Sequence, residues 1–156
     1  MTASDKSTLN ASRQERFLKA VELLDSAHSY TRLGGVHALV ALADEYLADK
    51  SLSAEEKHAE GQRIVDVLCA YIRSPFELAF RYDELSQDKP SPHGSYRENH
   101  QDFYMHKAEL LAEAKVRQRA LQEIHRRLRH FPQGDRRNYV EGSWSGFEYD
   151  FSNSVF

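Results

Sequence analysis

A single cysteine, Cys69, rules out an intrachain disulfide, and an oxidising compartment gains no support from it. It lies in Val67-Leu68-Cys69-Ala70-Tyr71 and reads as a small core residue. Long apolar runs are missing as well. The longest, residues 38–43, falls far short of the roughly 20 residues that span a bilayer. Residues 1–16 are rich in Ser, Thr, Asn and charge and contain no apolar stretch of the signal-peptide kind. The expectation is a cytoplasmic chain with no direct membrane insertion. An excess of one charge is lacking too: 24 acidic against 21 basic residues leave a net charge of −3, so no global field draws in nucleic acid or an anionic surface.

The motifs of common chemistries are also missing. Gly-x-Ser-x-Gly does not occur, and Trp144-Ser145-Gly146 resembles it only superficially. Leu33-Gly34-Gly35 is not followed by the glycine and lysine of a phosphate loop. Eight histidines form no His-Glu-x-x-His pair. His100 and His106 are six apart and His125 and His130 five, neither spacing placing two ligands on one helix face. His37, beside an apolar stripe, reads as a partly buried structural histidine. Asp44-Glu45 and Glu55-Glu56 are adjacent on helices, point in different directions, and read as solvation and capping. The sequence therefore predicts no catalytic residue, no cofactor and no metal.

What is present is helical periodicity. With 156 residues, 40% of them apolar, the chain is long enough for one core. Ser12 and Glu15 suggest a capping box opening a first helix with Phe17, Ala20, Val21 and Leu24 on one face, ending near Ser26; residues 1–11 read as a flexible tail. After Ser29 and Thr31, the positions Leu33, Val36, Leu39, Val40, Ala43, Tyr46 and Leu47 recur at helical spacing. Gly34 and Gly35 in its first turns mark either a neighbour packed close to the backbone or a loose helix start. Ser53-Ala54-Glu55-Glu56 is a second capping box, leading to Ile64, Val65, Leu68, Cys69 and Ile72. Ser74-Pro75-Phe76-Glu77 offers a further start, Ser74 as cap and Pro75 at the first helical position, for a short helix through Leu85. Residues 86–99 form a polar loop, mobile or a lid. A long helix from about His100 to His130 follows, ended by Pro132 and Gly134, with Leu110, Ala114, Leu121, Ile124 and Leu128 as its stripe. The predicted core is Phe17, Val21, Leu24, Leu33, Val36, Leu39, Val40, Ile64, Leu68 and Ile72.

Two features point to binding. Between residues 115 and 137 stand Lys115, Arg117, Arg119, Arg126, Arg127, Arg129, Arg136 and Arg137 against only Glu123 and Asp135. That excess reads as a solvated or internally paired face, a surface for an acidic protein, or a phosphate-contacting face. The tail then changes character: Phe147, Tyr149 and Phe151 alternate like a half-buried strand, while Phe151 and Phe156 are five apart, and the two periods compete.

The segments Glu15-Arg16-Phe17-Leu18-Lys19-Ala20-Val21-Glu22-Leu23-Leu24, Arg32-Leu33-Gly34-Gly35-Val36-His37-Ala38-Leu39 and Val67-Leu68-Cys69-Ala70-Tyr71-Ile72-Arg73 resemble the helical region preceding the repeats in actinobacterial pentapeptide-repeat proteins. Tyr149-Asp150-Phe151-Ser152-Asn153 and Ser154-Val155-Phe156 resemble the opening of such repeats, with Phe151 and Phe156 as the inward residues. In that family the repeats wind a square β-helix associated with protein interaction. Three departures stand beside the resemblance: little more than one repeat is present, the N-terminal membrane anchor of many relatives is lacking, and residues 50–60 and much of 75–99 find no counterpart.

The reading is mainly α: a small helical bundle or HEAT-like helix pair over residues 12–141, a long additional helix, and a short β-like C-terminal segment at 142–156. The expected function is a non-enzymatic protein-interaction or assembly module; the alternative is a regulatory nucleic-acid binder using the Arg-rich stretch 115–137. Trp144, Phe147, Tyr149, Phe151 and Phe156, with Arg126, Arg127, Arg129, Arg136 and Arg137, are the expected partner-binding residues. The aromatic edge is expected to bind a protein or pair with itself, nucleic acid being disfavoured. Removal of residues 146–156 is accordingly expected to leave the helices intact and abolish self-association.

Overall fold

The computed structural model describes residues 2–128 and 140–154. Four long helices dominate it: α1 (Ala3–Leu24), α2 (Ser29–Ala48), α3 (Ala54–Arg73) and, after a 3₁₀ turn at Glu77–Arg81 and the one-turn α4 (Tyr82–Leu85), α5 (His100–Arg126). The chain is mainly α, a small helical bundle. Connections of four and five residues after α1 and α2 make α1, α2 and α3 successive neighbours, and α5 lays itself across α2 and α3.

Local chemistry explains most helix ends. At Ser53 the hydroxyl accepts from the Glu56 N–H, and Glu56 reaches back to the Ser53 N–H, the reciprocal box the sequence announces. Asn99 caps α5 through the Asp102 N–H. The start of α1 lies nine residues earlier than Ser12. Thr2 and Asp5 form a capping box of their own, so residues 3–11 are an exposed helical extension rather than a frayed tail. The Ser74 box does not form. Its hydroxyl donates to the Tyr71 carbonyl and accepts from Arg117, and the following turn begins after Phe76 without a side-chain cap.

Phe17, Leu24, Val36, Leu39, Val40, Ile64, Leu68 and Ile72 are buried in one cluster, with Val21 and Leu33 half-buried against it. Cys69 is buried in the same cluster, and burial pushes its thiol up. Gly35 answers the question raised by its pair: a Cβ there would stand 2.9 Å from the Ala20 carbonyl oxygen and 3.1 Å from Leu23 Cβ. The α1–α2 crossing therefore needs hydrogen at that position. Around Gly34 the space is open. A second, smaller cluster of Leu85, Tyr96 and Phe103 pins residues 86–99 against the start of α5. Leu68 has no exposed surface. Leu68→Ala is expected to cost about 2–5 kcal/mol, read as a lower urea midpoint at unchanged slope.

On α5 the observed inner face differs from the expected one. The buried positions are Phe103, Glu113, Val116, Arg117, Ala120, Glu123 and Ile124. Ala114 is exposed, and Leu110, Leu121 and Leu128 are only half-buried. At 3.6 residues per turn the inner face is rotated by about 65° from the aliphatic stripe, with Ile124 common to both, carrying charged side chains inward. The expected β-like segment is absent also. Residues 142–154 run as turns over the bundle, and no strand occurs among the described residues.

Candidate functional site

The rotation of α5 follows from what its charged residues meet. Glu113, with its side chain only 4% exposed, accepts at Oε1 from the Tyr71 hydroxyl at 2.7 Å and from Arg117 Nε at 2.8 Å. Its Oε2 accepts from Arg32 Nε at 2.8 Å. Arg117 also donates to the Ile72 carbonyl, one of the orphan acceptors at the C-terminal end of α3, and to Ser74 Oγ. Arg32 donates to the Ser26 carbonyl in the α1–α2 connection. One carboxylate thus ties α5 to the entry of α2 and the exit of α3. Burial, then the hydrogen bond to Glu113, pushes the Tyr71 phenol up, so it stays protonated and donates. The cluster borders a cleft of about 490 Å³ walled by Val21, Leu24, Val67 and Phe76. The three charged side chains spend their donors and acceptors on one another and on helix ends, which is structural chemistry.

A second network fixes the tail. Trp144 is fully buried and its indole N–H donates to Asp44 at 2.9 Å. Arg127 donates to both oxygens of Asp44, reaches Glu123 Oε2 at 2.7 Å, and lies over the Trp144 ring, its Cζ 5.3 Å from the centroid. The Trp144 backbone N–H donates to the Arg127 carbonyl, and the Tyr149 hydroxyl to that of Trp144. Burial would raise Glu123, but the hydrogen bond from Arg127 and the charges of Arg126 and Arg127 outweigh it and hold the carboxyl below its ordinary range. Phe147 is buried over Gly61, where a Cβ would overlap its ring.

These placements correct the expected binding residues. Trp144 and Phe147 belong to the core, and Tyr149 and Phe151 are half-buried against it. They form no free apolar edge. Arg127 is turned inward; Arg126 is exposed and 3.5 Å from Glu123. Arg129, Arg136, Arg137 and Phe156 lie outside the described residues. His37 is exposed. Arg117 stands in the basic stretch for which an internally paired face is one of the readings, but the sequence does not single out its partner Glu113, although 113, 116, 117, 120, 123, 124 and 127 form an unbroken run at helical spacing.

The remaining candidate surface is a groove of about 680 Å³ between the first turns of α2 and the middle of α5. Ser29, Tyr30 and Leu33 form one wall; Ala108, Leu111, Ala112, Lys115 and Arg119 belong to the other. Tyr30 is 88% exposed and Leu111 54%. Among the described residues no helix is long and apolar enough to cross a membrane, and no cluster of three or more His, Cys, Asp or Glu could hold a metal ion. Comparison with protein-family models, curated proteins and solved structures finds no match.

Proposed function

We propose that this chain is a non-enzymatic protein-interaction or assembly module, resembling the helical cap of a pentapeptide-repeat protein, that engages a partner through the α2–α5 groove. The observation that carries the reading is the exposure of Tyr30 and Leu111 at the rim of an open groove whose apolar lining includes Leu33, Ala108, Ala112 and Val116. Water wets such a surface at a cost that a partner removes. The docked tail supplies no comparable surface, so partner binding shifts from the aromatic edge to this groove. The proposal carries a cytoplasmic location with it, the lone buried thiol drawing nothing from oxidation. The nucleic-acid alternative loses Arg117 and Arg127, whose guanidinium groups are committed to Glu113, Asp44 and Glu123.

Photo-crosslinking tests the reading. p-Benzoylphenylalanine at position 30 or 111 of the full chain, expressed in its own cells, is expected to give the same discrete protein adduct, with none from position 18 on α1. The identified partner, purified, is expected to rebind the purified chain. Adducts missing from both groove positions, or identical from all three positions, would overturn the reading.

A further inference from the structure

The geometry points to an acidic amphipathic helix of another protein as the occupant of the α2–α5 groove, an inference that rests on the interaction-module reading. Ala108 and Ala112 stand one turn apart on α5, and their small side chains let a partner backbone come close. Leu33 and Val116 line the same groove, with Tyr30 and Leu111 exposed at its rim. An apolar channel between two helices receives side chains at positions i, i+3 or i+4, and i+7 of a docked helix.

Charge selects the kind of helix. The polar lining consists of Ser29, Gln118, Gln122, Lys115 and Arg119, and no carboxylate is among the groove-lining residues. Glu123 lies 3.6 Å from Arg119, but it is buried and shared with Arg126 and Arg127, so it offsets only part of that charge. The first turn of α2 adds to the same sign. Its N-cap residue His28 makes no side-chain cap hydrogen bond and the turn contains no acid, whereas Thr2, Ser53 and Asn99 cap the other long helices. The positive end of a 20-residue helix therefore borders the groove beside Lys115 and Arg119. Carboxylates flanking the apolar stripe of a partner meet all three. A basic helix meets like charge.

The test uses the full chain and two fluorescein-labelled 18-residue peptides. One carries Leu at i, i+4, i+7 and i+11 with Glu and Ala elsewhere; the other has Lys for every Glu. Anisotropy titrations are expected to show the acidic peptide binding at least tenfold tighter than the basic one, less so at high salt. L111E is expected to weaken the acidic peptide at least tenfold, and K115E/R119E to reverse the ranking. Circular dichroism establishes that these variants fold, and K115Q/R119Q, expected to abolish the preference, replaces any that does not. Binding of neither peptide, equal binding of both, or a ranking indifferent to charge reversal would overturn the inference, as would a dimer in sedimentation that L111E abolishes. If the peptides fail while adducts at positions 30 and 111 persist, the partner has other chemistry and the module reading stands; loss of the adducts removes both.

Discussion

Trp144→Ala is expected to lower the stability of the whole helical domain by about 3–5 kcal/mol, the range for removing a large aromatic from a core. Four losses combine. The indole has no exposed surface, so its removal leaves a cavity among α2, α3 and α5 residues of the main cluster. Its N–H donates to Asp44 Oδ1, an acceptor that also takes a hydrogen bond from Arg127. Its ring faces the Arg127 guanidinium. Phe147, packed edge-on to Trp144 at 6.2 Å, loses its backing as well. Urea unfolding followed at 222 nm reads the effect, because the helices themselves report. Deletion of residues 142–156 is expected to broaden the transition or lower its midpoint still further. A deletion that leaves the midpoint unchanged would show that the tail is an appendage after all.

Glu113→Ala is expected to cost about 3–5 kcal/mol, since it leaves Arg32 and Arg117 facing each other in a buried site with their shared counter-charge gone. The Tyr71 hydroxyl loses its acceptor in the same step. A companion variant separates charge from packing. In R32M/E113L/R117M the desolvation of three ions disappears together with their attraction, and most of the stability is expected to return. Guanidinium chloride would screen part of the effect, so urea melts at fixed ionic strength are the suitable measurement. If Glu113→Ala loses less than about 1 kcal/mol, the carboxylate is not holding α5 to the ends of α2 and α3.

The largest expected effects therefore fall on residues with opposite histories in the sequence. Trp144 is conspicuous there, but as part of an exposed edge. Glu113 is inconspicuous, one carboxylate among 24. Both errors share a cause. The composition of a segment says how much it would gain from a partner, not whether the partner lies within the same chain. Phe147 finds its seat on Gly61, and Trp144 its hydrogen bond on Asp44, 100 residues away. Neither separation leaves a local trace.

By itself the sequence determined that the protein is helical, where α3 and α5 begin and which faces of α1, α2 and α3 turn inward. Those features rest on interactions within three or four residues: a side-chain oxygen accepting from the N–H three positions on, or aliphatic side chains one turn apart. The close approach at Gly35 was half-legible, because a glycine in a helix signals either contact or looseness and only the Ala20 carbonyl opposite decides. Tertiary structure alone decided the rotation of α5, the docking of the tail and the groove that both leave open. Arg32 and Glu113 are 81 residues apart, Tyr71 and Glu113 42. A charged side chain can be buried only where distant partners satisfy it, so its place in the core depends on the assembled bundle and on no pattern along the chain.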